Sequence, residues 1–159
     1  MLVKLGFVVL GGAVAVWLVG TSYARSIAAI ERKVQAEVNG QYLVLEVART
    51  PRDRERGLSG RGPLSVNEGM MFVFEAPGTY PFWMKGMQFP IDIVWVERNR
   101  VVGFEERVPP QLGARDEELR IYYPPAPVQK VLELAAGRAG LLRLRSGDRV
   151  VFRPFIFAP

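Results

Sequence analysis

The chain of 159 residues contains neither cysteine nor histidine. Without cysteine there is no disulfide, no thiolate nucleophile and no cysteine–metal site. Without histidine the commonest general base, the usual transition-metal ligand and the side chain that changes charge near neutrality are missing together. Ser-His-Asp and Cys-His arrangements are excluded. A zinc site would have to be built from carboxylates alone, so neither a metal nor a cofactor is expected. Charge of one sign is never dense either. The net charge is +5, but acidic residues interrupt both of the most basic stretches, 49–61 and 138–153. Neither stretch interleaves aromatic rings with its arginines as a stacking platform would, so no nucleic-acid partner is expected.

What is present fits one domain with a short extension. About half the residues are apolar and 23% are charged, a balance that supports a real core. Residues 5–24, LGFVVLGGAVAVWLVGTSYA, carry no charge. As a helix, twenty residues reach roughly 30 Å, the thickness of a bilayer's hydrocarbon core. Trp17 and Tyr23 lie toward the far end, where amphipathic rings favour the interface. Residues 1–24 are read as a transmembrane anchor or a signal peptide. The small-x-small triplet Ser22-Tyr23-Ala24 would permit cleavage after Ala24 and secretion, whereas the length of the apolar run favours an uncleaved, single-pass anchor. Arg25, Arg32 and Lys33 outweigh Lys4 and lean toward a cytoplasmic C-terminal side, while the short, signal-like N-terminus leans the other way. Residues 25–33 are read as a stalk that prolongs the helix, and residues 34–159 as a single domain.

Beyond residue 33 the period shortens to two. VQAEVNGQYLVLEVA alternates on both sides of Asn39-Gly40, the dipeptide preferred in a two-residue type I′ hairpin. Thr50, Pro51 and Gly57 bracket one or two helical turns. GMMFVF (69–74), YPFWMK (80–85), IDIVWVE (91–97) and VVGFEERV (101–108) read as strands, with a further short strand at 119–122. Val128, Val131, Leu132 and Ala135 follow Pro127 at i, i+3, i+4 and i+7, which predicts an amphipathic helix ending at Gly137. LLRLRSGDRVVFRPF predicts two strands around Ser146-Gly147-Asp148. The expected fold is mainly β, a small barrel or sandwich-like domain of about eight short strands with one or two short helices, preceded by the N-terminal transmembrane helix.

RERGLSGR, GMMFVF, FWMKGMQFPIDIVWV, YYPP, PAPVQKVLELAAG and SGDRVVF occur in this order. Together they resemble the family called domain of unknown function 192, across nearly all of residues 35–153. Phe-Trp-Met-Lys followed by Pro-x-Asp is the most specific mark. The resemblance implies a small, mostly β domain that often follows a signal peptide or membrane segment, which turns the orientation toward an extracytoplasmic domain. It implies no reaction. Two positions depart from the family pattern. Ser59 stands where methionine is common, and Arg143-Leu144 replaces a frequent Gly-Ile.

The candidate site is the stretch around Trp83, Lys85 and Asp92, with Arg56 as a fourth member. In strand 91–97 Asp92 shares a face with Val94 and Val96, which predicts burial, and a buried carboxylate needs partners. Lys85, the backbone N–H groups of the 86–90 turn and Arg56 are the expected ones. Alternation sets Phe82 and Met84 against Trp83 and Lys85, and Trp83 is expected on the core side. Exposed beside Lys85, it would instead form a platform for sugars or other planar, polar ligands. GLSGRG (57–62) lacks the Gly-Lys-Ser/Thr ending of a phosphate loop and reads as a turn. The leading expectation is a membrane-anchored, extracytoplasmic domain that binds a cell-envelope ligand, a glycan or a peptide, at Trp83, Lys85, Asp92 and Arg56. One alternative is a histidine-free hydrolase or lyase with Asp92 as base and Lys85 stabilising negative charge, although Lys85 would lower the pKa that a base needs raised. The other is a structural subunit of an envelope assembly.

Overall fold

The computed structural model describes residues 32–155. The anchor or signal peptide at 1–24 and most of the stalk lie outside them. Lys33, taken as the last stalk residue, already belongs to the first strand. Among the described residues no helix is long and apolar enough to cross a membrane.

β1 (Lys33–Val38) and β2 (Gln41–Ala48) form the expected hairpin, with Asn39 and Gly40 at φ 50° and 73° as a type I′ turn requires. Helix α1 (Pro51–Arg56) starts where predicted. The Thr50 hydroxyl accepts the Asp53 N–H, Pro51 occupies the first turn, and Gly57 closes the helix at φ 48°. The chain then returns as β3 (Glu68–Gly78), parallel to β2. A parallel neighbour cannot be reached by a tight turn, so the crossover, with α1 at its start, is obligatory. β4 (Ile91–Glu97) and β5 (Arg100–Val108) form a second hairpin across Arg98 and Asn99, both at positive φ. β6 (Val128–Ala135) inserts between β3 and β4, helix α2 (Arg138–Leu141) follows, and β7 (Val151–Pro154) pairs with β1.

The result is one seven-stranded sheet in the order β5-β4-β6-β3-β2-β1-β7. The segment before β7 meets the start of β5 through the bridge of Arg100 with Arg149 and hydrogen bonds such as Val101 N–H to the Asp148 carbonyl at 2.9 Å, but β5 and β7 do not pair, so the sheet curls without closing into a barrel. Both faces are buried. One carries Met70, Phe72, Ile93, Trp95 and Val131 and is covered by Phe82, Met84, Met87 and Phe89 from the segment between β3 and β4. The other packs Leu43, Leu45, Met71, Val94, Leu132 and Leu134 against Leu142, Leu144 and Val150.

Four predicted elements differ. The helix expected from residue 128 is strand β6, because its apolar positions serve two buried faces rather than one stripe: Val131 faces one core and Leu132 and Leu134 the other. The Arg/Leu alternation at 141–145 is not a strand but the last residue of α2 and the turn after it, with Leu142 and Leu144 buried and Arg143 at φ 52°. The strands expected at 80–85 and 119–122 reduce to one antiparallel bridge, Phe82 with Tyr122.

Candidate functional site

Asp92 is completely buried, as its place in the strand predicts, but none of the expected partners meets it. Its Oδ1 accepts the N–H groups of Arg107 at 2.7 Å and Gly137 at 2.8 Å, and its Oδ2 accepts that of Ala139 at 2.7 Å. Arg107 and Gly137 both have positive φ. The carboxylate thus fastens the irregular end of β5 and the β6–α2 turn to β4, through short charge-assisted bonds. Asp92 and Lys85 cannot form a pair. Asp92 shares its face of the sheet with Leu134, in the core of Val94 and Leu132, whereas the segment carrying Lys85 covers the opposite face. Lys85 Nζ instead meets Asp116 Oδ2 at 2.5 Å, on the surface.

On that covered face lies a pocket of about 420 Å³. The other three candidates, Arg56, Trp83 and Lys85, all line it; Asp92 does not. α1 delivers Arg54 and Arg56 to one side, and the 80–87 segment delivers Trp83, Lys85 and Met87 to the other. Phe82 and Met84 turn into the core, leaving Trp83 43% exposed, so the expectation that Trp83 is core is corrected. The reason is the bridge to Tyr122, which fixes the phase of the segment and buries both bridge residues. The neighbours of the bridge point outward, and Ile121 and Tyr123 are accordingly exposed as well.

The aromatic wall is well ordered by its own contacts. Phe74 stacks on Tyr80 with centroids 3.6 Å apart, and Phe72 meets Phe82 edge-on at 5.1 Å. The Arg54 guanidinium lies over Phe74 and donates to the carbonyls of Arg49 and Val73, so it builds the wall. Tyr80 donates to the Ala76 carbonyl. The Arg56 carbonyl accepts the Ser59 N–H at 3.1 Å, while its guanidinium has no hydrogen bond or ion pair to any described residue. Ser59 also lines the pocket, and its hydroxyl occupies the space that a Cβ on Gly86 would take. GLSGRG is thereby stitched to the Trp83 segment, with Gly60 N–H donating to the Gly86 carbonyl at 3.0 Å.

Neither the aromatic wall of Phe72, Phe74 and Tyr80 nor the pocket's buried acid was foreseen in the sequence. The acid, Glu133, lines the pocket from β6, between Met70 of β3 and Ile93 of β4. It is 6% exposed, and its Oε2 has no hydrogen-bond partner. Burial alone pushes its carboxyl up to about 8, so it is a neutral acid at pH 7. A helix over 128–135 would turn Glu133 away from its apolar stripe, and that misassignment hid it. The visible signal was an acidic residue inside the apolar run Val-Leu-Glu-Leu-Ala. Among the described residues no group of three or more acidic side chains could hold a metal ion.

An open, doubly buried β-sheet with an aromatic pocket beside α1 defines a small, mainly β domain. The chain belongs to the family DUF192, described as uncharacterized ACR, whose model matches residues 34–152. Two crystal structures are similar to it. One, from Sinorhizobium meliloti 1021 and proposed as a transcription regulator, is 28% identical with a TM-score of 0.66, covering 76% of this chain and 92% of that one. The other, a protein of unknown function from Novosphingobium aromaticivorans DSM 12444, is 29% identical with a TM-score of 0.64, covering 75% and 83%. No curated protein matches the sequence.

Proposed function

We propose that this protein is a membrane-anchored, extracytoplasmic domain that binds a cell-envelope ligand, a glycan or a peptide, in the pocket beside α1. The observation that carries this reading is the joint lining of one open concavity by Trp83, Lys85 and Arg56 above an aromatic wall. A pocket of this size falls within the range of small-molecule sites, which are mostly apolar with a few placed polar groups. Trp83 offers a flat, half-open ring, and Arg56 offers an uncommitted guanidinium to an anionic group. Asp92 supports the site from behind as scaffold. The reading as a hydrolase or lyase through Asp92 and Lys85 loses its base, because Asp92 is sealed from solvent and its oxygens are already occupied by backbone donors.

The test is thermal melting of the full chain against a panel of envelope glycans and peptides. A ligand at a hundredfold its Kd stabilises by about 2.7 kcal/mol, a rise of several degrees. Wild type should show that rise with at least one panel member, and Trp83→Ala or Arg56→Ala should lose it while keeping the unliganded Tm. No shift of wild type with any member removes the binding reading. Protease accessibility of the domain in intact cells and in opened cells tests its side of the membrane.

A further inference from the structure

The Glu133 carboxyl is the pocket's least satisfied group. Its neighbours across the sheet, Met70 and Ile93, are apolar. The charged and titratable groups that face the pocket come from α1 (Arg54, Glu55 and Arg56) and from the segment between β3 and β4 (Tyr80 and Lys85). Arg54 is held by two backbone carbonyls, Tyr80 by Ala76, and Lys85 by Asp116. None of them reaches Glu133 Oε2, which is buried and unpartnered. A buried polar atom without a partner is costly, and the pocket that Glu133 lines is where the carboxyl can find one.

Resting on the binding reading above, we propose that the pocket takes an N-acylated amino acid or the C-terminal residue of a short peptide. Its amide carbonyl accepts a hydrogen bond from the Glu133 carboxyl, its apolar side chain lies among Phe72, Phe82 and Met87, and its carboxylate meets Arg56 at the rim. Each part follows from what lines the pocket. A neutral acid donates, so the inner group of the ligand must accept, and an uncharged carbonyl does so without burying a charge. The aromatic wall calls for an apolar body. Of the two guanidiniums that line the pocket, Arg56 alone has no partner among the described residues; it calls for an anion, and it lies on α1 at the rim, where the charge stays near water.

The experiment is calorimetric titration of the full chain with N-acetylphenylalanine, its neutral amide N-acetylphenylalaninamide, and N-acetylmuramic acid, a sugar that carries the same acetamide and a carboxylate. Titrations are run at pH 6 and pH 9, on either side of the Glu133 value of about 8. N-acetylphenylalanine should bind about tenfold more tightly at the lower pH, because the ionised carboxyl can no longer donate. Glu133→Gln still donates an N–H, so it should keep binding and lose the pH dependence, which separates Glu133 from every other titrating group. Glu133→Leu should weaken binding about tenfold at pH 6. Arg56→Ala should weaken the acid but not its amide. Failure of N-acetylphenylalanine to bind at millimolar concentration, or binding indifferent to Glu133→Leu, overturns the proposal. Binding of N-acetylmuramic acid alone overturns the peptide assignment and leaves the envelope-ligand reading standing. A flat panel in the melting experiment above removes both.

Discussion

Two carboxylates one strand apart show how environment assigns opposite roles to similar side chains. Asp92 is buried but receives three backbone N–H groups, so its charge is dispersed over donors that cannot move away. In Asp92→Asn the amide nitrogen must face one of those donors. The expected loss is about 3 kcal/mol, roughly 10 °C in Tm for a domain of this size, with no change in ligand affinity at the temperature where the variant is folded. Glu133 is buried without donors. Its folded-state carboxyl holds its proton up to about pH 8, whereas the unfolded chain releases it near 4.5. The resulting stability is complete below the lower value and is lost as pH rises through the window between them, by up to about 1.4 kcal/mol per pH unit. Denaturant titrations from pH 5 to pH 9 should show this slope in wild type and a flatter profile in Glu133→Gln. Burial of Asp92 was legible from alternation alone. Its partners were not, because they are backbone groups of Arg107, Gly137 and Ala139, and nothing in those residues' side chains announces a donor.

Elements whose identity rests on local chemistry were legible. The Asn39-Gly40 hairpin and α1 fall where turn and cap residues place them, since those residues act through bonds to their immediate neighbours. Thr50→Ala removes the cap of α1 and should cost about 1 kcal/mol. Because α1 carries Arg56 to the pocket rim, the same variant should weaken any anionic ligand more than a neutral one. β6 was not legible. Val128, Val131, Leu132 and Ala135 satisfy the helical period, and only tertiary context decides, since β6 sits between β3 and β4 and must be apolar on both sides. The close fit of these central strands is visible at Gly69, where a Cβ would lie 2.5 Å from the Glu133 carbonyl and 2.9 Å from Leu45 and Leu134 methyls. Gly69→Ala should therefore force β3 away from its neighbours and destabilise by about 3 kcal/mol, readable as a fall in denaturation midpoint.

Across the whole molecule, the connection before β7 acts as a tie, bonded both to the start of β5 and to the first hairpin. Asn39 Nδ2 donates to the Leu142 carbonyl at 3.0 Å and to Asp148 Oδ2 at 2.9 Å, tying the first hairpin to the connection before β7. Asn39→Ala breaks both bonds and places alanine at positive φ, so it should cost about 2 kcal/mol. Asn39→Gly should recover only the backbone share, and the difference between the two melts measures it. The curl of the sheet was anticipated as a small barrel or sandwich, and the sheet remains open, because its edge strands β5 and β7 do not pair and only the segment before β7 bonds to the start of β5.

The pairing of β1 with β7 has a mechanical side. Val34 lies opposite Pro154, and Glu37 opposite Val151, so the chain enters β1 and leaves β7 at the same end of two antiparallel neighbours. Tension applied between residues 33 and 155 therefore loads the Val34–Pro154 rung first and parts the rungs in succession, as in opening a zip. In single-molecule pulling between these points, β7 should peel off at low force before the remaining six strands yield. A load that enters only at Lys33 is instead carried by both neighbours of β1, and through β2 by the rest of the sheet.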